Sequence, residues 1–177
     1  LGSTGSIGKS TLEVIKKNKK DFDIYLLSAN NNYKKLIKQV KIFKPKNVLI
    51  KNKKFYKKVL NSLKKYSTKV YTGDVPLNKI INKKMDYSMC AIVGVAGLQT
   101  TLDAIKISKT VAIANKESII CAWNIISREI KKYKTIIQPV DSEHFSIKEL
   151  TKNINDNEIE EIIITASGGP FLNTSKN

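Results

Sequence analysis

The stretch Leu1-Gly2-Ser3-Thr4-Gly5-Ser6-Ile7-Gly8 decides the fold, because it combines a glycine turn with the start of a helix. Its three glycines stand at three-residue spacing, directly before a helical pattern that runs from Lys9 to about Asn18. Glycine permits a tight turn and a close approach of the backbone, and a helix N-terminus offers free N–H groups to a pyrophosphate. We therefore expect Leu1 to end a first strand and the turn to bind a dinucleotide, with hydroxyl donors from Thr4 and Ser6.

After this stretch the chain alternates between short apolar runs and amphipathic helical segments. The apolar runs predict strands at residues 22–28, 47–50, 69–72, 88–93, 110–114, 135–140 and 159–165. Most are continuously apolar rather than alternating, which is typical of a parallel sheet covered by helices on both faces. The sequence therefore predicts an α/β fold with a Rossmann-like, doubly wound, mostly parallel sheet.

The charge of the chain is strongly basic, at +17 from 32 basic and 15 acidic residues. Such basicity is compatible with nucleic acid or an anionic membrane as a partner. However, Arg128 is the sole arginine, and arginine is the usual residue for bidentate recognition of phosphates and bases. The lysines occur in pairs along predicted helices, where they form solvated faces. No apolar run reaches the ~18 residues needed to span a membrane. We predict neither nucleic acid nor membrane as a partner.

The chain starts on the glycine turn without an initiator methionine and stops in polar residues, so we interpret it as a fragment cut at both ends.

The chain has two cysteines. Cys90 and Cys121 lie in apolar surroundings without CxxC spacing. This pattern predicts two buried free thiols in a reducing compartment.

The turn after the second predicted strand indicates which dinucleotide is bound. Enzymes that use NAD place an acidic residue about 20 residues after the glycine turn, where it holds the ribose 2′-hydroxyl. Here the corresponding stretch, Ser28-Ala29-Asn30-Asn31-Asn32, contains no acid. A 2′-phosphate is therefore not repelled, and the three asparagines with Lys34 can bind it, which favours NADP. An ordinary polar turn is the alternative.

Four predicted strands end in residues suited to a ligand site: 94–97 (Gly-Val-Ala-Gly), 115–117 (Asn-Lys-Glu), 141–144 (Asp-Ser-Glu-His) and 167–169 (Ser-Gly-Gly). Ligands of open α/β sheets bind outside the carboxyl ends of the strands, so we expect these turns to meet. Asp141 and Glu143 offer the oxygen ligands that a hard divalent cation prefers. The same residues also fit an ordinary helix N-cap. Ser167 before two glycines suits a phosphate.

Four motifs, at residues 2–8 (Gly-Ser-Thr-Gly-Ser-Ile-Gly), 114–118 (Ala-Asn-Lys-Glu-Ser), 139–144 (Pro-Val-Asp-Ser-Glu-His) and 167–171 (Ser-Gly-Gly-Pro-Phe), together resemble the 1-deoxy-D-xylulose 5-phosphate reductoisomerase family. The resemblance covers essentially the whole chain. It implies conversion of 1-deoxy-D-xylulose 5-phosphate to 2-C-methyl-D-erythritol 4-phosphate in the non-mevalonate isoprenoid pathway, with NADPH and Mg²⁺ or Mn²⁺.

The resemblance also implies roles for individual residues. NADPH would contact Thr4, Gly5, Ser6, Ile7, Asn30, Asn31, Asn32, Asn115 and Glu117. The sugar phosphate would contact Lys116, Ser142, Glu143 and Ser167. The metal would be held by Asp141 and Glu143, and the catalytic residues would be Lys116, Asp141 and Glu143. Residues 1–140 would form the NADPH-binding domain and 141–177 the start of an α/β catalytic domain. The family further implies a homodimer in the bacterial cytoplasm or, alternatively, in the plastid stroma.

One departure and several missing parts qualify these expectations. The family usually shows Gly-x-Asn where this chain has Asn30-Asn31-Asn32. A third carboxylate ligand, the substrate-covering loop and the C-terminal helical domain would lie beyond Asn177, so we expect the fragment itself to be inactive. Two alternatives remain open. A semialdehyde-type NADP dehydrogenase needs a nucleophilic cysteine at a strand end. A basic nucleic-acid-binding domain would show a steep salt dependence of binding.

Overall fold

The computed structural model describes residues 1–163, which form alternating strands and helices. The strands are β1 Leu26–Ala29, β2 Asn47–Ile50, β3 Lys69–Thr72, β4 Met85–Cys90, β5 Ser108–Ile113 and β6 Ile136–Pro139. The α-helices are α1 Ser6–Lys17, α2 Tyr33–Phe43, α3 Tyr56–Leu63, α4 Leu77–Ile80, α5 Leu98–Ile107, α6 Lys116–Tyr133 and α7 Ser142–Thr151. Short 3₁₀ turns lie at Lys19–Asp21, Lys53–Phe55, Val95–Gly97 and Asp156–Glu158.

The strands form two parallel, three-stranded sheets in the orders β1-β2-β3 and β4-β5-β6. Residues 1–3 connect them. The Leu1 nitrogen donates to the Met89 carbonyl at 2.7 Å, and the Leu1 carbonyl accepts from the Ala91 N–H at 3.0 Å. On the other side, the Ser3 N–H donates to the Ser28 carbonyl at 2.9 Å. The strand order therefore reverses at residues 1–3, with β1 to β3 on one side and β4 to β6 on the other. Such a reversal is the topological switch point at which open α/β sheets bind ligands.

The sheet is covered on both faces. In β2, Val48 and Ile50 are fully buried in a cluster that includes Leu36 of α2. Leu49, which points the opposite way, packs against a second cluster that includes Ile105 of α5. Successive residues of a strand point to opposite faces, so each face has its own helical layer. The prediction of a Rossmann-like, doubly wound, parallel α/β fold is confirmed.

Two helices begin directly after a capping side chain. Helix α6 begins at Lys116 because the Asn115 side chain caps it, and α7 begins at Ser142 because Asp141 caps it. A capping side chain accepts a hydrogen bond from an N–H group of the first turn, so the helix starts directly after it. The predicted domain boundary at residue 140 therefore falls in the turn between β6 and α7. The division into two domains itself remains a prediction.

Three expectations need correction. Strand β4 ends at Cys90 rather than at residue 93, so residues 91–93 form the turn that follows it. The strand expected at 159–165 is not formed over 159–163, where no described strand pairs with it and Ile163 is 75% exposed. Its last two residues lie outside the described part. Cys121 is exposed rather than buried, because the inward face of α6 consists of Ser118, Ala122 and Ile126.

None of the helices among residues 1–163 is long and apolar enough to traverse a lipid bilayer.

Candidate cofactor and metal site

The glycine turn is built by two glycines that the fold requires and one that it does not. Gly2 has a φ of +78°, and a Cβ there would lie 2.7 Å from the Ala91 carbonyl oxygen. A Cβ at Gly8 would lie 2.6 Å from the Cα of Ser3 and in contact with the Gly2 carbonyl. At Gly5 the nearest atom would be 3.5 Å away, which is an ordinary contact. A methyl group would therefore fit at Gly5, at the start of α1, in ordinary contact with the Gly2 and Ala91 carbonyls.

The N-terminus of α1 is open. Gly5 is its N-cap, no side chain caps it, and its first turn contains no acidic residue. The hydroxyls of Thr4 and Ser6 make no hydrogen bond within residues 1–163. Free N–H groups with the positive end of the helix dipole attract an anion such as a pyrophosphate. The space at Gly5 lets that anion approach the backbone, so this turn fits the pyrophosphate of a dinucleotide.

A cavity of about 240 Å³ joins this turn to the ends of three strands. It is lined by Ser6, Ile7, Ala91, Ile92, Val93, Ala114, Lys116, Glu117 and Asp141. These residues come from the start of α1 and from the turns after β4, β5 and β6. The structure therefore brings together the predicted pyrophosphate turn, one ammonium group and two carboxylates at the carboxyl edge of the sheet.

Asn115, predicted to contact the cofactor, is only 2% exposed and has its side chain engaged inside the protein. Its amide NH₂ group donates to the carbonyls of Ile92 and Gly94, both at 2.7 Å. Its side-chain oxygen accepts from the Ser118 N–H at 2.9 Å. Asn115 thereby ties the turn after β4 to the start of α6. These hydrogen bonds fix the start of α6, which carries Lys116, and the cofactor contact expected of Asn115 stays a prediction.

Asp141 caps α7 and also faces the cavity. One carboxylate oxygen accepts from the His144 N–H at 3.0 Å and from His144 Nδ1 at 2.6 Å. Burial raises the pKa of Asp141, but the hydrogen bonds from His144 outweigh it and hold the pKa below its ordinary value. Both predicted roles of this stretch are thus compatible, because the second oxygen makes no hydrogen bond within residues 1–163 and can serve as a ligand.

Glu143 lies in the first turn of α7. Its own backbone N–H, the Ser142 hydroxyl at 2.9 Å and then the charge of Lys116 lower its pKa. Glu143 and Asp141 are therefore both ionised at neutral pH, as a hard divalent cation requires. No group of three or more metal-binding side chains occurs among residues 1–163. Asp141 lines the cavity and Glu143 is not among its lining residues, so the metal role of this pair stays a prediction.

The predicted adenosine-end residues lie at the same edge of the sheet, just after β1, but do not line the cavity. Asn32 caps α2 by accepting from the Lys35 N–H at 3.2 Å, and the Asn31 oxygen accepts from the Asn52 amide at 2.8 Å. Partial desolvation and the neighbouring Lys9 ammonium lower the pKa of Lys35.

Two serines are predicted to contact the substrate. Ser142 is exposed and hydrogen-bonded to Glu143, and Ser167 lies outside the described residues. Sequence reasoning missed residues 91–93 as lining residues because it extended β4 too far. Residues 94–97, expected to belong to the ligand site, are not among the lining residues of the cavity, and Gly97 packs beneath the Asn115 amide. The hydrophobic pattern gave no signal for the buried Gln39, which contacts the glycine turn.

The two thiols are expected to differ in reactivity. Cys90 is buried within β4 and burial raises the pKa of its thiol, whereas Cys121 is exposed on α6. Because the thiolate is the reactive form, a thiol reagent such as DTNB should titrate one cysteine in the native chain and both after unfolding in guanidinium. A Cys121→Ser variant should react only when unfolded. Rapid reaction of Cys90 in that folded variant would restore the semialdehyde-dehydrogenase alternative.

Comparison with known protein families decides between the resemblance seen in the sequence and its two alternatives, a semialdehyde-type dehydrogenase and a nucleic-acid-binding domain. The protein-family model described as 1-deoxy-D-xylulose 5-phosphate reductoisomerase matches residues 1–123, and the model of that enzyme's C-terminal domain matches residues 137–177. The chain belongs to the 1-deoxy-D-xylulose 5-phosphate reductoisomerase family. The resemblance seen in the four sequence motifs is thereby confirmed, and the family extends over both sides of the turn between β6 and α7.

Individual reductoisomerases agree with this assignment. The chain is 57% identical over 177 residues to 1-deoxy-D-xylulose 5-phosphate reductoisomerase of Pelagibacter ubique, which covers 99% of this chain and 46% of that protein. The structure of the reductoisomerase from Zymomonas mobilis in complex with NADPH matches with a TM-score of 0.90 at 39% identity, over 99% of this chain and 46% of the other. A reductoisomerase in complex with NADPH, fosmidomycin and magnesium matches with a TM-score of 0.75 at 33% identity, over 81% of this chain and 36% of the other. The chain thus spans about half the length of the curated relatives it matches.

Proposed function

We propose that this chain forms the NADPH-binding part, and two metal ligands, of a 1-deoxy-D-xylulose 5-phosphate reductoisomerase of the non-mevalonate isoprenoid pathway. The observation that carries the proposal is the single cavity that Ser6, Lys116 and Asp141 share. A nucleotide on the glycine turn and a metal on Asp141 would meet in that cavity. A reductoisomerase needs this arrangement, because the rearranged sugar phosphate must receive a hydride.

The cofactor would be held by its phosphates. The N–H groups of Ser6 and Ile7, with the hydroxyls of Thr4 and Ser6, would bind the pyrophosphate of NADPH at the space beside Gly5. The turn at residues 30–32 would lie along the adenosine, and Glu117 would contact the cofactor further along. When bound, NADPH supplies the hydride that reduces the rearranged aldehyde. The protein orients the cofactor and keeps it against the strand ends.

The sugar phosphate would bind at the opposite side of the cavity. Lys116 would contact its oxygen atoms and stabilise developing negative charge. Asp141 and Glu143 would hold Mg²⁺ or Mn²⁺, which polarises the ketone and hydroxyl oxygens of the substrate. Ser142 and Ser167 would contact the substrate, with Ser167 at its phosphate. We propose His144 as the residue that orients the Asp141 carboxylate, since its ring nitrogen lies 2.6 Å from that group.

The cellular setting is proposed from the family. A homodimer and a bacterial cytoplasmic location follow from the resemblance, with a plastid stroma as the alternative location. We also propose that the 177-residue chain does not turn over substrate, because its described residues hold only two carboxylate ligands and Mg²⁺ requires near-octahedral coordination.

A fluorescence titration of the 177-residue chain with NADPH tests the proposal. We expect saturable binding of one NADPH per chain, with competition by NADP⁺. The dissociation constant for NADPH should change little between 50 and 300 mM NaCl beyond general screening. Absence of saturation at millimolar NADPH would refute the proposal. A steep salt slope together with DNA binding would indicate the nucleic-acid-binding alternative.

The preference for NADPH over NADH is expected to depend on Lys35. The Lys9 ammonium lowers the pKa of Lys35, whose backbone N–H donates to Asn32 in the turn after β1, so an anionic 2′-phosphate bound there would relieve the repulsion between the two charges. Lys35→Ala should weaken NADPH binding by about tenfold, the scale of one charged hydrogen bond, and leave NADH binding within about twofold. Lys41→Ala, an exposed lysine in the last turn of the same helix, is the matched control. Equal weakening of NADH and NADPH would contradict the assignment.

A further inference from the structure

A buried amide on α2 holds the glycine turn from below. Gln39 is 7% exposed although it is polar. It lies on the buried face of α2, next to the fully buried Val40. Its side-chain oxygen accepts from the Ser3 hydroxyl at 2.7 Å, and its NH₂ group donates to the Ser3 carbonyl at 2.7 Å. Gln39 thus pairs with both the side chain and the backbone of one residue in the turn.

The rest of the turn is fixed from the side of β1. The Ser28 carbonyl accepts from the Ser3 N–H at 2.9 Å and lies 3.2 Å from the Ser3 hydroxyl. The Ser28 hydroxyl accepts from the Gly2 N–H at 2.9 Å. Ser3 therefore has no polar group left for a ligand. It works as the anchor from which the chain turns through Gly5 into α1.

An amide is the side chain that this position needs. The Ser3 carbonyl requires a donor and the Ser3 hydroxyl requires an acceptor, and a glutamine side chain supplies both. Methionine has a similar shape but would leave the buried Ser3 carbonyl without its donor and the Ser3 hydroxyl with only the longer contact to the Ser28 carbonyl, which is costly in a buried site. Because Gly8 packs against the Cα of Ser3, a shift of Ser3 would also displace the start of α1.

We propose that Gln39 is a positioning residue for the cofactor: through Ser3 it sets where the first N–H groups of α1 point, and hence how tightly they hold the pyrophosphate of NADPH. This inference rests on the proposed function, since it concerns the same nucleotide site. Gln39 itself does not line the cavity and touches no ligand in this arrangement. Its effect is therefore expected on cofactor affinity beyond any effect on folding.

The test compares Gln39→Met with Val40→Ala in the 177-residue chain. Val40 is fully buried in the same helix and lies in the apolar cluster, so its truncation should lower stability by at least as much without contacting the turn. NADPH dissociation constants are measured by fluorescence at a temperature where circular dichroism shows both variants folded. We expect Gln39→Met to weaken NADPH binding about tenfold or more and Val40→Ala to change it less than about twofold.

The outcomes separate the two proposals. If the unaltered chain binds no NADPH, the proposed function fails. If the unaltered chain binds NADPH but Gln39→Met binds it equally well, the positioning role fails and the proposed function stands. If both variants lose affinity in proportion to their loss of stability, Gln39 is merely structural and the inference is overturned. Should Gln39→Met not fold, Ser3→Ala replaces it, since this variant removes the hydroxyl that donates to Gln39; unchanged affinity there would equally overturn the inference.

Discussion

Replacing Gly5 with alanine is expected to weaken NADPH binding by about a hundredfold while changing the stability of the chain by less than about 1 kcal/mol. Gly5 has an extended backbone at the N-cap of α1, and an added Cβ would find only ordinary contacts within the protein. That Cβ would instead occupy the space through which a pyrophosphate approaches the helix N-terminus. A small stability loss is expected because alanine is a poorer N-cap than glycine.

Gly8→Ala is the matched counterpart and should behave in the opposite way. Its Cβ would lie 2.6 Å from the Cα of Ser3, and backbone atoms cannot rotate aside as side chains do. We expect a net loss of about 2 kcal/mol or more, because overpacking outweighs the better helix propensity of alanine. Urea denaturation measures the stability of each variant and fluorescence titration its affinity for NADPH. Full NADPH affinity in folded Gly5→Ala would contradict the placement of the pyrophosphate.

Asn115→Ala is expected to destabilise the fold by about 3 kcal/mol, the second large effect. The variant loses the cap of α6, worth about 1 kcal/mol, and leaves the carbonyls of Ile92 and Gly94 without their donor. Since these contacts also place Lys116 beside the cavity, cofactor and substrate binding should weaken as a consequence of the altered turn.

The control for this variant lies on the same helix. Asn124→Ala changes an exposed asparagine of α6 and should stay within about 0.5 kcal/mol of the unaltered chain. Urea denaturation followed by circular dichroism measures both. If Asn115→Ala were as stable as the unaltered chain and lost only NADPH affinity, then Asn115 would act as a direct cofactor contact, as the family resemblance implied, and its structural role would be refuted.

Much of the fold could be predicted from the sequence because it depends on local patterns. Continuous apolar runs such as 47–50 predict buried parallel strands, and β2 has these bounds. The spacing of the glycines before a helix predicts the turn at the switch point. The starts of α6 and α7 cannot be read from the apolar pattern alone, because that pattern begins after the capping residue, as it does behind Asp141. Side-chain caps at Asn115 and Asp141 decide where α6 and α7 begin.

The candidate site was predicted in part. The position of Lys116, Glu117 and Asp141 on one cavity follows from the rule that parallel strands end at one edge. The burial of Asn115 and Gln39 could not be predicted, because a polar residue is buried only where tertiary contacts supply its hydrogen bonds. Those partners, the carbonyls after β4 and the Ser3 peptide, are distant in the sequence. Over 159–163 the expected strand is not formed for the same reason, since a strand needs a neighbour that local sequence does not reveal.

A crystal structure of this chain grown with NADPH tests most directly whether the cofactor enters the cavity that Lys116 and Asp141 line. We predict that the pyrophosphate lies against the N–H groups of Ser6 and Ile7 beside Gly5. We also predict that the nicotinamide reaches toward the ammonium of Lys116 and the carboxylate of Asp141. A pyrophosphate bound away from the start of α1, or a nicotinamide directed away from the turns after β5 and β6, would contradict the account.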